Sequence, residues 1–132
     1  MKIQLALDRL GLQKCHDILS GTADLIDIVE IGTSLIFEHG AKIVNQFKKR
    51  YPHLLLLADA KIMDSGSYES DLFYQEGADI VTVLGLASDK TILAVQSKAS
   101  ARGKKVMVDM IRVSRPLVFR YFRTRSRSQC CS

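Results

Sequence analysis

The sequence lacks several features that would assign it to common protein classes. No run approaches the roughly 20 consecutive apolar residues of a membrane-spanning helix. The first residues, Met1–Asp8, lack the apolar stretch and cleavage site of a signal peptide. We therefore expect no membrane partner and a cytoplasmic location. Only three cysteines occur, Cys15, Cys130 and Cys131, and an odd number with one adjacent pair is neither a disulfide framework nor a zinc site.

Acidic residues are missing from the last part of the chain. Residues 1–111 hold 13 Lys or Arg and all 14 Asp and Glu, whereas residues 112–132 hold six Arg, no Lys and no acidic residue. The net charge of +5 therefore belongs to the tail. This break in composition indicates two stretches of different origin.

A regular alternation of two patterns runs through the first stretch. Five near-continuous apolar runs are typical of strands buried on both faces: Ile3–Leu7, Leu25–Ile31, Leu54–Ala58, Ile80–Leu84 and Val106–Val108. Between them, helical spacing of apolar residues predicts helices: Leu12–Leu19, Leu35–Arg50, Tyr68–Glu76 and Asp89–Arg102. The order βαβαβαβαβ predicts an α/β fold with a parallel sheet.

Two architectures share this order, the closed (β/α)₈ barrel and the open doubly wound sheet. Polar or conformationally permissive residues end nearly every predicted strand: Asp8, Glu30, Gly32, Asp59, Lys61, Gly85 and Asp109. A barrel gathers such residues from many strands at one end, whereas an open sheet concentrates them at one switch point. No G-x-G-x-x-G follows the first strand, so dinucleotide binding has no support. The pattern favours a barrel.

The sharpest candidate site is the stretch Asp59-Ala60-Lys61-Ile62-Met63-Asp64. Charges at the end of a buried strand are poorly solvated unless they are paired or bound to a ligand. Alternate strand residues share a face, so Asp59 and Lys61 could point into one cavity and serve proton transfer or charge stabilisation. The alternative is a salt-bridged barrel mouth without chemistry.

Glu30 and Asp8 are two further carboxylates at predicted strand ends. Glu30 and Asp59 could together offer oxygen ligands to Mg²⁺, which proteins usually hold by one or two carboxylates, with substrate and water completing the octahedron. The alternative is a carboxylate that pairs with Lys61 and binds no metal. Asp8 could accept a sugar hydroxyl or cap the next helix. The residues alone leave both choices open.

These residues also carry a family resemblance. Five segments stand in order: Leu5-Ala6-Leu7-Asp8, Val29–Thr33, Ala58–Asp64, Gly77–Gly85 and Val106–Asp109. Together they resemble the 3-hexulose-6-phosphate synthase family. Its close relative is the family of 3-keto-L-gulonate-6-phosphate decarboxylases, and both belong to the orotidine monophosphate decarboxylase suprafamily. The resemblance covers residues 1 to about 111, and D-x-K-x-x-D is a specific element where it follows the third strand.

The resemblance implies a (β/α)₈ TIM-barrel lyase that joins formaldehyde to ribulose 5-phosphate in an Mg²⁺-dependent aldol reaction through an enediolate. It implies that Glu30 and Asp59 are metal ligands and that Asp8 contacts the substrate. Lys61 would stabilise the enediolate and help to move protons, and Asp64 would enter the active site of the partner subunit of a homodimer. The decarboxylase is the alternative, since the shared motif does not separate the two reactions.

The sequence departs from the family pattern after Ile111. A (β/α)₈ barrel typically needs about 250 residues, and no position here matches the family's histidine after the fifth strand or its phosphate-binding loops. We interpret residues 1–111 as a truncated half-barrel of about five βα units. Its open strand edge predicts marginal stability with dimerisation or aggregation, and activity of this chain alone is left open.

Residues 112–132 form an Arg/Ser-rich tail, which we expect to be disordered or to derive from a frameshift. A non-enzymatic alternative is a nucleic-acid-binding tail, since its arginines alternate with Phe119, Tyr121 and Phe122 and could grip phosphates and stack bases. We favour a tail without this role. The expected partners are therefore a sugar phosphate, formaldehyde and a second subunit.

Overall fold

The computed structural model of the chain describes residues 1–113, so the predicted tail and its suggested nucleic-acid contacts lie outside the described residues from position 114 onward. Strands and helices alternate as expected for an α/β fold. The elements are β1 (Gln4–Leu7), α1 (Leu12–Thr22), β2 (Ile28–Ile31), α2 (Thr33–His39), α3 (Lys42–Arg50), β3 (Leu55–Ile62), α4 (Gly66–Gln75), β4 (Ile80–Leu84), α5 (Asp89–Ala101) and β5 (Lys105–Asp109). None of the helices in this part of the chain has the length and apolar character to cross a membrane.

The strands lie side by side in chain order, β1-β2-β3-β4-β5, and each neighbouring pair is parallel. A doubly wound sheet reverses its strand order at a switch point, and these five strands contain no reversal. Sequential order is that of a (β/α) barrel, where each strand pairs with the one before it. The prediction from the strand-end residues is therefore confirmed, and the described residues form a five-strand part of a barrel.

The helices pack on one face of the sheet and form one hydrophobic core with it. Alternate strand residues point into this core, namely Leu7, Val29, Ile31, Leu56, Ala58, Val81 and Val83. The helices contribute nearly fully buried side chains such as Cys15, Leu19, Leu35, Phe47 and Val95. Because successive strand residues face opposite sides, the intervening ones share the other face. We call this the inner face, and it carries Glu30, Leu57 and Thr82.

Several predicted elements begin or end at other residues in the structure. The segment Leu35–Arg50 is two helices rather than one, because Gly40 adopts a φ of 69° and ends α2. The strand predicted from Leu25 begins only at Ile28, since Ala23–Leu25 forms a 3-10 turn and leaves the Leu25 side chain exposed. The helix predicted from Tyr68 begins two residues earlier, at Gly66.

Strand β3 is longer than the apolar run that predicted it. It continues past Ala58 to Ile62, and its register against β4 shifts between these two residues. Three residues, Asp59 to Lys61, therefore lie opposite the single residue Thr82. Such a bulge bends the strand and redirects its side chains. The charged residues thus belong to the strand itself and not to a following loop.

A cluster of charged side chains lies just before β4, at the end of the sheet opposite to Asp59 and Lys61. Lys48 Nζ and Lys104 Nζ lie 2.8 and 2.7 Å from the two carboxylate oxygens of Asp79, and Leu56 N donates to the same group. Burial alone would raise the pKa of Asp79, but these hydrogen bonds outweigh it and lower the pKa. Polar groups at the amino ends of barrel strands serve stability, so we assign this cluster a structural role.

Candidate active site

A buried carboxylate and an ammonium form the centre of the candidate site on the inner face. Lys61 Nζ donates to both oxygens of Asp59, at 2.9 and 2.7 Å, and to Asp109 Oδ2 at 2.9 Å. Asp59 is only 8% exposed. Burial alone would lower the pKa of Lys61, but its hydrogen bonds to the two aspartates outweigh burial and raise it. The ammonium therefore remains charged at neutral pH.

The bulge in β3 explains how Asp59 and Lys61 meet. Simple strand alternation predicted that they share a face, but Lys61 has a φ of 48°, in the left-handed region that non-glycine residues rarely adopt. This conformation turns the chain so that the Lys61 side chain folds back onto Asp59. Left-handed residues outside glycine cluster at functional sites, where the surrounding structure compensates for their strain.

Two threonines fix the Asp59 carboxylate. Thr33 Oγ1, at the start of α2, lies 2.9 Å from Asp59 Oδ2 and 2.8 Å from the Asp59 carbonyl oxygen. Thr82 Oγ1, on β4, donates to Asp59 Oδ1 at 3.0 Å. With the Lys61 contacts, both carboxylate oxygens have at least two partners, so the orientation of Asp59 is strongly determined before any ligand binds.

Glu30 lies on the inner face of the neighbouring strand β2 and is half-buried. Its Oε2 accepts a hydrogen bond from Gln4 Nε2 on β1. Burial raises the pKa of Glu30, and the negative charges of Asp59 and Asp109 raise it further against the hydrogen bond from Gln4 and the charge of Lys61. This region thus contains three carboxylates and one ammonium group, and it therefore carries an excess of negative charge.

This excess charge fits a divalent cation in its chemistry. Hard oxygen donors and one or two carboxylates are what Mg²⁺ uses in proteins, and Glu30 and Asp59 supply such donors from adjacent strands. Across residues 1–113, no three His, Cys, Asp or Glu side chains are grouped closely enough to enclose a metal ion by themselves. A cation here would therefore need water or substrate as further ligands.

Asp8 lies directly after β1 and is exposed. Its Oδ1 accepts from Ser34 Oγ, and the Ser34 amide lies 3.4 Å away. The hydrogen bond from Ser34 lowers the pKa of Asp8. Of the two roles left open by the sequence, capping of the next helix is not seen, since the residue before α1 is Gly11 and no side chain caps that helix. Asp8 instead packs against the start of α2.

Gly32 makes this approach possible. A Cβ at Gly32 would lie 2.4 Å from the Leu7 carbonyl oxygen and 2.8 Å from Asp8 Oδ1. Such a Cβ would clash with both oxygens. The end of β1 and the start of α2 can therefore lie this close only with glycine at position 32.

Asp64 does not join the other predicted residues. It follows the end of β3 and is exposed, and it lines an open groove with Tyr68, Ser88 and Lys90 at the amino ends of α4 and α5. Its backbone oxygen accepts from Thr91 Oγ1 and Gly66 N. The structure thus brings Glu30, Asp59 and Lys61 together and places Asp8 directly after the neighbouring strand β1. Asp64 instead lines a groove that none of these four residues lines.

Sequence reasoning missed most of the residues that hold this site. Asp109 was noted only as a strand end, although it is a direct partner of Lys61. Gln4, Thr33, Ser34 and Thr82 were not singled out. Thr82 carried a usable signal, because it is the one hydroxyl in the apolar run Ile80–Leu84, and a buried hydroxyl needs a hydrogen-bond partner.

Known proteins are similar to the part of the chain that holds the five strands and the candidate site. Residues 1–123 match the family described as Orotidine 5'-phosphate decarboxylase / HUMPS family. This match extends past the boundary expected near residue 111. Among curated proteins, 3-hexulose-6-phosphate synthase of Bacillus subtilis (strain 168) is 42% identical over 113 residues, which is 86% of this chain and 54% of that protein.

Solved structures resemble the fold as well. The 3-hexulose-6-phosphate synthase from Salmonella typhimurium superposes with a TM-score of 0.81 at 44% identity, over 83% of this chain and 52% of that one. The 3-keto-L-gulonate-6-phosphate decarboxylase from Vibrio cholerae O1 gives 0.78 at 32% identity, over 81% and 50%. The chain thus spans about half the length of the relatives it matches.

Proposed function

The chain belongs to the orotidine 5'-phosphate decarboxylase / HUMPS family, and from this premise we propose that it carries one half of a sugar-phosphate lyase site. The proposed reaction is that of a 3-hexulose-6-phosphate synthase, the aldol condensation of formaldehyde with ribulose 5-phosphate. The observation that carries the proposal is the Lys61 ammonium held between Asp59 and Asp109 at the carboxyl end of the strands. Active sites of (β/α) barrels are formed at this end.

The reaction needs a positive charge where an enediolate develops. A proton passes from the carbon beside the ketone of ribulose 5-phosphate to a water molecule, that carbon bonds to the carbon of formaldehyde, and the formaldehyde oxygen takes up a proton, so that no net proton is gained or lost. Lys61 Nζ supplies a charged donor for the developing oxyanion, and its raised pKa keeps it protonated. The same ammonium is a proton source for the new hydroxyl. Asp59 and Asp109 orient it for both tasks.

Glu30 and Asp59 are the residues that would hold Mg²⁺ in this proposal. When bound, the cation would supply compensation for the negative charge on two neighbouring oxygens of the enediolate. The excess of carboxylates over ammonium groups in the region supports this role. Asp59 would then serve both the cation and Lys61. Because each of its carboxylate oxygens already has two hydrogen-bond partners, the cation would have to displace one of them.

The remaining predicted residues act at the edges of the site. Asp8 would accept a hydrogen bond from a hydroxyl of the sugar phosphate, since its exposed carboxylate has a lowered pKa and stays ionised. Asp64 would act in the site of a second subunit, which agrees with its exposure on a groove away from Lys61. Within residues 1–113 the edge strands β1 and β5 are each paired on one side only. We therefore propose that the chain works as a homodimer. We also propose a cytoplasmic location, which is where enzymes of sugar-phosphate metabolism act.

A second candidate is the decarboxylase reaction of the related proteins. It is supported by the likeness to the Vibrio cholerae decarboxylase, whose TM-score is close to that of the synthase. Loss of carbon dioxide from 3-keto-L-gulonate 6-phosphate would give an enediolate at the same position, so the same Lys61 charge would stabilise it. The higher identity to the synthase favours the aldol reaction.

A two-substrate assay of the purified chain tests this proposal. Formaldehyde-dependent consumption of ribulose 5-phosphate and carbon dioxide release from 3-keto-L-gulonate 6-phosphate are measured in parallel, each with Mg²⁺ and with EDTA. We expect Mg²⁺-dependent aldol turnover that falls by at least about 100-fold in Lys61→Ala. Lys14→Ala removes an exposed lysine on α1 and should leave turnover unchanged.

The Bacillus subtilis synthase serves as the positive control in the same buffers. If it turns over and this chain does not, the proposed activity is wrong for this chain. If turnover is equal in Lys61→Ala and wild type, the assigned role of Lys61 is wrong. Preference for carbon dioxide release would favour the second candidate.

A further inference from the structure

Thr82 joins the two charged residues of the bulge through one hydroxyl. It is the only β4 residue opposite the segment Asp59 to Lys61. Its Oγ1 donates to Asp59 Oδ1 at 3.0 Å, and it accepts from the backbone N–H of Lys61 at 2.8 Å. A hydroxyl has one proton to donate and two lone pairs to accept with, so both bonds can exist together.

The second of these bonds stabilises an unusual backbone. Lys61 is left-handed, and the register shift removes its amide from the regular ladder between β3 and β4. A backbone N–H at such a position needs a partner from elsewhere, and Thr82 Oγ1 is that partner. Thr82 is itself 3% exposed, so its hydroxyl is shielded from water and directed at these two groups.

We infer that Thr82 is a positioning residue that sets the geometry of the Asp59–Lys61 pair. The inference rests on the proposed function in one respect, that this pair is the reacting pair. Thr82 acts on it from two sides, through the carboxylate of Asp59 and through the backbone that directs the Lys61 side chain. Thr33 also binds Asp59, but its hydroxyl makes no hydrogen bond to the Lys61 backbone, and it therefore provides a matched comparison.

The two threonines separate the effect on the Lys61 amide from the effect on Asp59. Thr82→Val keeps the shape of the side chain but removes both bonds, so the Lys61 amide loses its partner. Thr82→Ser keeps the hydroxyl and removes only a methyl group. Thr33→Val removes the hydroxyl that contacts both the carboxylate and the carbonyl oxygen of Asp59, and it leaves the Lys61 amide bonded to Thr82. Only the first variant should release the left-handed turn.

Amide hydrogen exchange of the full chain, followed by NMR, measures this release without any substrate. In the wild type we expect the Lys61 amide to be protected. In Thr82→Val its exchange should accelerate by about tenfold, the effect of losing one hydrogen bond, while the Leu57 amide earlier in β3 and the Val83 amide on β4 keep their wild-type rates. Thr82→Ser and Thr33→Val should stay within about threefold of the wild-type rate at Lys61.

Several outcomes overturn the inference. An unprotected Lys61 amide in the wild type would do so without any variant, even if Thr82→Val failed to fold. Unchanged exchange at Lys61 in Thr82→Val, or equal acceleration at Lys61, Leu57 and Val83, would reduce Thr82 to an ordinary core residue.

Turnover gives a separate readout. If the wild type is active, Thr82→Val should lower kcat more than it changes KM, and Thr82→Ser should restore kcat; a change in KM alone would overturn the inference. If the wild type is inactive beside an active relative, the proposed function fails, and amide exchange still decides the role of Thr82.

Discussion

Lys61 on β3 reaches across β4 to Asp109 on β5, with 2.9 Å between Nζ and Oδ2. Asp109 also accepts from the backbone N–H of Ile111. Burial alone would raise the pKa of Asp109, but the hydrogen bonds from Lys61 and Ile111 outweigh it and lower the pKa. The Lys61 ammonium therefore links β3 and β5, two strands that are not hydrogen-bonded to each other. The link lies at the end of the sheet where we propose the active site.

Asp109→Asn tests the strength of this tie. We expect it to destabilise the chain at pH 7 by roughly 1 kcal/mol, a value reduced for the partial exposure of both groups. A lowered carboxyl pKa contributes stability above the unfolded value of about 3.9, and this contribution is lost as pH falls through the lower folded value. The difference between wild type and variant should therefore shrink as pH falls below about 4.

Urea unfolding at pH 7 and pH 3 measures this difference. Asp24→Asn is the control, because the Asp24 side chain is fully exposed. A difference between wild type and Asp109→Asn that is equal at both pH values would contradict an electrostatic tie.

Asp79 offers a comparison at the other end of the sheet. Its carboxylate holds Lys48 and Lys104 and is less exposed than Asp109. We expect Asp79→Asn to destabilise the chain by about 2 kcal/mol at pH 7, again with a smaller effect below about pH 4, since the folded pKa is lowered. Because the cluster lies away from the inner-face site, the Lys61 amide should exchange at its wild-type rate under native conditions. Urea unfolding measures the loss of stability, and amide exchange measures any effect at Lys61. A selective change in exchange at Lys61 would refute the purely structural role of the Asp79 cluster.

Much of the fold could be predicted from the sequence because burial on both faces leaves a strong pattern. The five apolar runs correspond to the five strands, and the polar strand ends favoured the barrel that the strand order confirms. The break at Gly40 was missed because helical spacing continues across it, and only the left-handed φ of Gly40 separates α2 from α3.

The site was less predictable than the fold. Asp59 and Lys61 stood out because charges rarely end a buried apolar run. The bulge that joins them depends on the register of β3 against β4, which the sequence of β3 alone does not reveal. Thr33 and Thr82 act through single hydroxyls across distances of more than 20 residues in sequence. Such partners become visible only when the strands are placed side by side.

Gly32 allows a test of the contact between β1 and the start of α2. Gly32→Ala would force a Cβ against the Leu7 carbonyl and the Asp8 carboxylate, and we expect a loss of about 1–3 kcal/mol in stability because the backbone must move. Gly21→Ala is the matched control, since nothing lies within 4 Å of its Cβ position and it lies in α1. Alanine favours a helix over glycine by up to about 1 kcal/mol, so the control should be neutral or more stable. Thermal unfolding of both variants measures the contrast, and equal stability of the two would mean that β1 can move aside at little cost.

Glu30→Gln separates the cost of a buried charge from its use in binding a cation. Because burial and neighbouring carboxylates raise the pKa of Glu30, the folded chain holds a proton there more tightly than the unfolded chain. Stability therefore falls as pH rises from the ordinary glutamate pKa of about 4.3 through the higher folded value. At pH 7 in EDTA the variant should be more stable than wild type, by less than about 1 kcal/mol after allowance for solvent exposure. The new amide can still accept from Gln4 through its oxygen.

Mg²⁺ should reverse this order if Glu30 is a ligand. A cation at ten times its dissociation constant stabilises the folded chain by roughly 1.4 kcal/mol, so the melting temperature of the wild type should rise with Mg²⁺ and that of Glu30→Gln should not. NaCl at equal ionic strength controls for screening, because it screens charges without supplying a divalent cation for the carboxylates. An equal response of both chains to Mg²⁺ would mean that the cation acts elsewhere, and that the carboxylate of Glu30 serves the site only through its charge.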